Sequence, residues 1–128
     1  MRIEIISGSP RPNSVTHRVS LHLRKVLQAV TDHEIGIIDL KDWNLPALQS
    51  IFVSVEHTPD EFKQLASRMF AADAFILVSP EYNGSYSPAM KNLLDHFPKQ
   101  HHKPFGIVTA SPGALGGIGL ALEFLVLT

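Results

Sequence analysis

The chain has 128 residues, of which 45% are hydrophobic and 18% charged, so we expect one folded domain over residues 1–128 with its own core. Its formal net charge of −1 provides no basic excess to neutralise a nucleic-acid backbone, and no nucleic-acid partner is expected. The absence of cysteine excludes disulfides, thiolate metal sites and a cysteine nucleophile.

The chain opens with an apolar run over residues 3–7 that favours a buried strand and ends in a loop of glycine, prolines and polar residues. A helical pattern follows directly, and the unpaired N–H groups of a helix N-terminus favour an anion. Ser9, Asn13 and Ser14 add neutral donors, and Arg11 adds a planar guanidinium. We predict a phosphate-binding loop; an ordinary strand-to-helix turn with Ser14 as N-cap is the alternative.

Two common phosphate-binding patterns are absent from this loop. It contains neither Gly-x-x-x-x-Gly-Lys-Ser/Thr nor the three glycines of the dinucleotide fingerprint. A mononucleotide is therefore favoured over ATP or a tightly held dinucleotide.

The next segment predicts a helix over residues 14–30 and a strand over residues 34–40, with Asp39 at or near the carboxyl end of the strand. We expect the apolar stripe of the helix to cover one face of a sheet. The stripe consists of Val15, Val19, Leu23, Val26, Leu27 and Val30.

Residues 41–57 have no clear period and predict a long loop, which we expect Trp43 to anchor to the core. A helix over residues 58–72 follows, with Thr58 as N-cap, Pro59 at the first position and Glu61 completing a capping box. Its predicted buried face consists of Phe62, Leu65, Ala66 and Met69.

The continuous apolar run at residues 74–79 predicts a central parallel strand that is buried on both faces. After the loop of residues 80–87, a third helix is predicted to begin with Ser87 as N-cap and Pro88 at its first position, and Pro98 to end it. The side chains expected to face inward are Met90, Leu93, Leu94 and Phe97.

Residues 105–110 predict a fourth buried strand, and residues 111–117 predict a loop. Residues 118–128 are apolar nearly all round, with Glu123 as the only charge. A helix of that composition should be buried against another surface.

Strands that alternate with helices in this way predict an α/β fold with a doubly wound parallel sheet. Ligands of such sheets bind beyond the carboxyl ends of the strands. Three loops are expected to meet there: residues 8–14 (the first loop), 80–87 (the second loop) and 111–117 (the third loop).

The second loop carries features that suit a planar heteroaromatic ring. Tyr82 offers a flat apolar face, and Asn83 with the N–H groups around Gly84 and Ser85 offers hydrogen bonds to a ring edge. The alternative is a tight Asn-Gly turn in which Tyr82 and Tyr86 are packing residues.

Four segments in the right order resemble the NADPH-dependent FMN reductases of the flavodoxin-like superfamily, which include quinone, chromate and azo-dye reductases. The segments are GSPRPNS at residues 8–14, DLKDWNLP at 39–46, PEYNGS at 80–85 with Pro88 and KNLLD at 91–95, and SPGALGG at 111–117. The resemblance implies a flavodoxin-like doubly wound parallel sheet with strand order 2-1-3-4, without the fifth strand and closing helix that usually follow in the family. We expect a second subunit, in a homodimer or homotetramer, to cover the resulting sheet edge and the apolar tail.

The resemblance also implies which residues bind the cofactor. The FMN phosphate would be held by Ser9, Arg11, Asn13, Ser14 and Thr16, and the isoalloxazine would be lined by Pro80, Glu81, Tyr82, Asn83, Gly84 and Ser85. Ser111 would approach the ring or the ribityl chain. The implied reaction is hydride transfer from NADPH or NADH to flavin N5, followed by reduction of a second acceptor, and no catalytic acid or base is assigned.

The resemblance thus favours an NAD(P)H-dependent flavin reductase whose acceptor is a quinone, an azo compound, a metal oxyanion or free flavin. An electron-carrier flavodoxin is an alternative that the near-neutral charge weakens, and a non-catalytic remnant with weak FMN binding is a third. We expect a soluble, cytoplasmic protein without membrane association, since Glu123 interrupts the longest apolar tract. No metal site is expected, and His96, His101 and His102 are interpreted as a solvated surface cluster.

Overall fold

Four strands and four α-helices alternate along the chain in the computed structural model, which describes residues 1–127. The strands are β1 (Arg2–Ser7), β2 (Glu34–Asp39), β3 (Ala74–Pro80) and β4 (Phe105–Ala110). The helices are α1 (Val15–Val30), α2 (Lys63–Ala71), α3 (Pro88–Asp95) and α4 (Ile118–Leu127), and short 3-10 turns lie at Leu40–Asp42 and Asp60–Phe62. Residue 128, the last of the predicted final helix, lies outside the described residues.

The strands form one parallel sheet in the order β2-β1-β3-β4. The predicted order 2-1-3-4 of a flavodoxin-like doubly wound sheet is therefore confirmed. Ser7 at the end of β1 pairs with Asp39 of β2 and Val78 of β3, so all three strands deliver their following loops to the same edge.

The two faces of the sheet bury separate hydrophobic clusters, as the alternation of side chains along a strand requires. Ile6 and Leu77 belong to the larger cluster, with α2 and α3, whereas Ile5 and Val78 belong to the smaller cluster, against α1. The prediction that β3 is buried on both faces is confirmed. Trp43 packs against the larger cluster and anchors its long loop there, as expected.

A charged residue, Glu4, lies fully buried inside β1. Its carboxylate accepts two hydrogen bonds from Arg68 of α2, at 3.0 Å from Nε and 2.6 Å from Nη2, and Nη2 also donates to the Ile37 carbonyl at 2.7 Å. Gly36 pairs with Glu4 in the sheet, and a Cβ at residue 36 would lie 2.5 Å from the carboxylate. The ion pair therefore occupies space that only a glycine in β2 leaves free.

The predicted apolar stripe of α1 is only half right. Val19, Leu23 and Leu27 pack against the sheet, whereas Val15, Val26 and Val30 are exposed. The fully buried side chains of α1 are instead Thr16 and Ser20. Ser20 can be buried because its hydroxyl donates to the Thr16 carbonyl at 2.9 Å, which satisfies the polar group within the helix.

The predicted start of the second helix is wrong. Thr58 does not cap it: its hydroxyl donates to the Ser54 carbonyl at 2.7 Å, and no side chain caps the elements that follow. Residues 60–62 form a 3-10 turn without a side-chain cap, and α2 begins only at Lys63. The predicted buried face is nevertheless confirmed: Phe62, Leu65, Ala66 and Met69 are all buried.

The expected burial of the last two elements is also partly wrong. Phe105 is 36% exposed, and the rest of β4 is half-buried or exposed, because β4 is an edge strand in the part of the chain that the structure describes. In α4, Leu120 is fully buried in the larger cluster, but Ile118 and Leu122 are 55% and 57% exposed.

Candidate functional site

The first loop begins at Gly8, which is fixed between β3 and α3. Its N–H donates to the Val78 carbonyl at 2.8 Å, and its own carbonyl accepts the Ser87 hydroxyl at 2.5 Å. A Cβ at residue 8 would lie 2.7 Å from the Val78 oxygen and 2.8 Å from Cε of Met90. Any larger residue would therefore push the loop away from β3.

The predicted phosphate-binding side chains differ in exposure. Ser9 and Thr16 are buried, each 3% exposed, and Ser9 Oγ accepts the Arg11 N–H at 3.3 Å. The side chain of Arg11 is exposed. The loop thus combines buried hydroxyl groups with an exposed guanidinium.

Asn13 and Ser14 shape the turn into α1. Asn13 is exposed and has a φ of 54°, in the left-handed region that asparagine tolerates better than most residues. Ser14 is the N-cap, as predicted, and its Oγ accepts the His17 N–H at 3.0 Å. The first loop therefore leads directly to the positive end of a 16-residue helix dipole.

Behind the first loop lies a polar cluster that the sequence did not predict. Nδ1 of His17 lies 3.1 Å from Oγ of Ser7 and 3.3 Å from Oδ2 of Asp39, and we call these three residues the His17 cluster. The other carboxylate oxygen of Asp39 accepts the Lys41 N–H at 3.0 Å. The position of Asp39 at the end of β2 was predicted. The signal that could have indicated the cluster is that Ser7 stands at the corresponding end of the neighbouring strand β1, where it pairs with Asp39.

The His17 cluster does not form the relay of a serine hydrolase. In such a relay the acid and the hydroxyl contact opposite ring nitrogens. Here Ser7 and Asp39 both contact Nδ1, so His17 cannot pass a proton from one to the other.

The second loop contains a tight Asn-Gly turn. Tyr82 and Ser85 exchange two backbone hydrogen bonds of 2.9 and 3.0 Å, and φ is 51° at Asn83 and 79° at Gly84, as in a type I′ turn. Tyr86 packs against the larger cluster, and burial raises the pKa of its hydroxyl above the usual range. The turn thus exists as the alternative interpretation predicted, and Tyr82 remains half-buried beside it.

The second and third loops are bonded to each other. The Ser111 hydroxyl donates to the Glu81 carboxylate and accepts the Gly113 N–H at 3.1 Å. The Glu81 N–H donates to the Ala110 carbonyl at 3.1 Å. Glu81 and Ser111, both predicted to contact a cofactor, therefore also hold the two loops together.

Ser87 joins the second loop to the first. It is fully buried, and its hydroxyl donates to the Gly8 carbonyl and accepts the Met90 N–H at 3.1 Å as the N-cap of α3. Its own N–H donates to Ser79 Oγ at 3.1 Å. The predicted convergence of the three loops at the carboxyl edge of the sheet is confirmed.

A cleft of about 490 Å³ opens beside the first loop. Trp43, Leu45 and Pro10 supply much of its apolar wall, and Pro88 lies at its border with α3. Asn92 of α3 donates to the Pro46 carbonyl at 3.0 Å and so holds the Trp43 segment in place. Trp43 thus both anchors its loop and faces an open cleft.

The interpretation of the three histidines is wrong in part. His96 is buried, with its ring centroid 5.0 Å from that of Phe52 and its Nδ1 2.7 Å from the Asn92 carbonyl oxygen. His101 and His102 are exposed. Among residues 1–127, no group of three potential ligands is placed to hold a metal ion, and no helix is long and apolar enough to cross a membrane.

Comparison with known proteins gives consistent matches. Residues 1–125 match the sequence model of the family described as NADPH-dependent FMN reductase. The chain is 32% identical over 122 residues to an NAD(P)H-dependent FMN reductase of Schizosaccharomyces pombe, a match covering 91% of this chain and 60% of the relative. It is 34% identical over 113 residues to an FMN-dependent NADPH-azoreductase of Staphylococcus aureus, covering 85% and 60%.

A quinone reductase of Pseudomonas putida is 29% identical over 123 residues, with 91% of this chain and 63% of the relative covered. The chain therefore spans less than two thirds of the length of these relatives. Among solved structures, an apo NADH:FMN oxidoreductase aligns over 96% of this chain and 65% of its own, with a TM-score of 0.81 and 23% identity. That likeness establishes a shared fold.

Proposed function

The chain belongs to the NADPH-dependent FMN reductase family, and we propose that it is a flavin-dependent reductase that takes electrons from NADPH or NADH and transfers them, through bound FMN, to a small-molecule acceptor. The observation that carries the proposal is the convergence of the three loops at one edge of the sheet, held together by Ser87 and by the Glu81–Ser111 hydrogen bond.

The first loop fits the phosphate of FMN. Gly8 keeps the backbone close to β3, where a Cβ would collide with the Val78 carbonyl, and the loop ends at a helix N-terminus. Ser9, Arg11 and Thr16 would supply hydroxyl groups and a guanidinium to the phosphate oxygens. Asn13 and Ser14 complete the proposed set.

The second and third loops fit the isoalloxazine. The internal hydrogen bonds of the turn use the N–H groups of Tyr82 and Ser85 and not those of Asn83 and Gly84. A Cβ at Gly84 would meet no heavy atom within 4 Å, so the Cα side of the turn tip is open, whereas the Gly84 carbonyl faces α4, where a Cβ at Gly119 would lie 2.9 Å from it. We assign the ring to the surface formed by residues 80–85 together with Ser111.

In the proposed reaction, the redox chemistry belongs to the cofactor and not to the side chains of the protein. FMN, when bound, supplies the capacity to accept and return a hydride equivalent. The side chains of this protein bind and orient the cofactor and limit the access of water. None of them is assigned as an acid or base.

The acceptor class is proposed from the named relatives and from the cleft. One relative is a quinone reductase and another an azoreductase, which favours planar aromatic acceptors. Metal oxyanions and free flavin remain within the proposed range. The cleft beside Trp43 offers an apolar surface next to the first loop for part of such a molecule.

We also propose a cytoplasmic homodimer or homotetramer formed by a single flavodoxin-like domain over residues 1–128, without membrane or nucleic-acid partners. Ile118 and Leu122 of α4 are more than half exposed, and β4 is an edge strand in residues 1–127, which favours a second subunit against this side. Light scattering at micromolar concentration tests the assembly; a monodisperse monomer would contradict it.

FMN titration followed by flavin fluorescence tests the proposed function. We expect micromolar or tighter binding that weakens at least tenfold in Arg11→Ala, because the guanidinium contributes a charge-assisted contact of about 1.5–3 kcal/mol. Lys25→Ala removes an exposed cation farther along α1 and serves as the matched control.

NADPH and NADH oxidation with menadione as acceptor then tests turnover. Turnover that requires FMN supports a reductase. FMN binding without NAD(P)H oxidation would favour an electron carrier. The absence of FMN binding by the folded protein would overturn the proposal and favour a non-catalytic remnant.

A further inference from the structure

The His17 cluster lies at the base of the first loop and has no part in the proposed function so far. His17 is the third residue of α1, and its side chain is 30% exposed. Asp39 is 11% exposed, and Ser7 is fully buried. The cluster therefore places a titratable ring between a nearly buried carboxylate and the surface of the site.

Nδ1 of His17 faces two oxygens, Ser7 Oγ at 3.1 Å and Oδ2 of Asp39 at 3.3 Å. A carboxylate only accepts hydrogen bonds, so the contact with Asp39 is favourable when Nδ1 carries hydrogen. The other oxygen of Asp39 accepts the Lys41 N–H at 3.0 Å. With hydrogen on Nδ1, Nε2 is the ring nitrogen that remains to accept a further proton.

Charged groups of both signs lie on the elements around His17. Asp39 of β2 has its Oδ2 3.3 Å from Nδ1, and a carboxylate at that distance favours a cationic over a neutral imidazole. His17 also lies in the first turn of α1, where the positive end of the helix dipole disfavours a cation, and Arg11 and Arg18 are exposed cations of the first loop and of α1. In the turn after β2, Lys41 and Asp42 carry opposite charges and are both exposed. A phosphate dianion bound at the first loop would offset the positive helix end and so favour a cation at His17.

We propose that His17 takes up a proton when the phosphate of FMN binds, so that it acts as a conditional cation that positions the first loop around the phosphate. This inference rests on the proposed function of the first loop. Since the complex then holds more protons than the free protein, linkage requires the affinity for FMN to rise as the pH falls through the range in which imidazole titrates. The rise depends on the phosphate and is absent for riboflavin.

The pH range of the test follows from the ligand. The second ionisation of a phosphate monoester has a pKa of about 6, so the ligand itself loses charge in more acidic solution. Titrations between about pH 6.5 and 8.5 keep the phosphate mostly dianionic and lie within the range in which histidine side chains change their charge.

The experiment measures the dissociation constant of FMN across this range by fluorescence and the proton uptake at pH 7 by calorimetry in buffers of different ionisation enthalpy. For the wild-type protein we expect a fractional proton uptake and an affinity gain of about threefold to tenfold from pH 8.5 to 6.5. In His17→Gln we expect no uptake and a nearly constant dissociation constant. His22→Gln, which removes an exposed histidine of the same helix, should behave as wild type.

Two further measurements guard against a purely structural explanation. The NMR signal of the His17 ring, assigned by its loss in His17→Gln, should shift its titration to higher pH when FMN is added and not when riboflavin is added. Asp39→Asn keeps the shape of the cluster but removes the carboxylate, and it should lower the affinity for FMN at pH 7 by a few-fold.

The outcomes separate this inference from the proposed function. FMN binding with the same pH dependence and proton uptake in wild type and His17→Gln would overturn only the role of His17. An unshifted His17 titration in the FMN complex would do the same. Failure of the wild-type protein to bind FMN at any pH would overturn both.

Discussion

Two polar clusters each join β1, β2 and a helix, one on either face of the sheet, and they differ in how completely they are closed. Glu4 is fully buried, and its carboxylate accepts hydrogen bonds from two arginines, Arg68 and Arg2. His17 is 30% exposed, and both partners share one of its ring nitrogens. We call the first the closed cluster, because two guanidinium groups enclose its carboxylate, and the second the open cluster, because both contacts fall on one nitrogen of a partly exposed ring. Only the open cluster lies at the edge where the loops meet.

Removing Arg68 should have the largest effect, because it leaves the fully buried carboxylate of Glu4 with only its 3.3 Å contact to Arg2. We expect Arg68→Ala to lower the free energy of unfolding by about 3–5 kcal/mol, measured by urea denaturation. Arg18→Ala, which removes an exposed arginine, is the control and should change it by less than about 0.5 kcal/mol. A loss below about 1 kcal/mol in Arg68→Ala would show that the cluster is not closed.

Gly36→Ala tests the same cluster by crowding it. The new Cβ would lie 2.5 Å from the Glu4 carboxylate and 2.9 Å from Nη2 of Arg68, so we expect a loss of about 1–3 kcal/mol in the free energy of unfolding. Gly106→Ala in β4 is the matched control, since its Cβ would meet only Cγ1 of Ile76, at 4.0 Å. That variant should be neutral or more stable by about 0.4–1 kcal/mol. Equal losses in both variants would contradict the steric argument.

Ser87→Ala tests the buried hydrogen bond that joins the second loop to the first loop within the site. It removes the donor to the Gly8 carbonyl and the cap of α3, and we expect a loss of about 1–2 kcal/mol in stability together with weaker FMN binding. Ser20→Ala removes a buried hydroxyl that bonds only within its own helix, and it should leave FMN binding unchanged. Unchanged FMN affinity in Ser87→Ala would indicate that the position of Gly8 does not depend on this link.

His17→Gln should have the smallest effect on stability. Its contacts with Ser7 and Asp39 are partly exposed, and partly exposed polar contacts contribute about 0–1 kcal/mol, so thermal and urea unfolding at pH 7 should move only slightly. If this variant loses the pH dependence of FMN binding and keeps its stability, the open cluster serves binding and the closed cluster serves stability. A decrease of several kcal/mol in the free energy of unfolding would instead show that His17, like Arg68, is required for stability.

The sequence predicted the positions of the strands and loops well and the helix surfaces less well. Strand bounds follow from continuous apolar runs, and the caps at Ser14 and Ser87 follow from local chemistry. The stripe of α1 was partly misjudged because a hydrophobicity pattern treats Thr16 and Ser20 as exposed residues. Both are buried, and the hydroxyl of Ser20 is satisfied by its hydrogen bond to the Thr16 carbonyl. The cap at Thr58 was wrong because residues 60–62 form a 3-10 turn and α2 begins only at Lys63, so Thr58 lies too far before the helix to cap it.

For the site, the sequence located the three loops but not the bonds between them. Glu81 and Ser111 were each predicted as ligands of FMN, and the structure adds their bond to each other. The direct contacts of these residues with FMN stay predictions. His17 was missed because nothing in its own segment distinguishes it from the other polar residues of α1.

The sequence by itself determined the order of the elements, the parallel sheet and the family, because apolar periodicity, caps and turn residues are properties of short segments. Only the tertiary structure decided which polar groups meet. His17 lies 10 residues from Ser7, Ser111 lies 30 from Glu81, and Arg68 lies 64 from Glu4. Such contacts depend on strand register and on how closely each helix approaches the sheet, and these are fixed only when the whole core is packed.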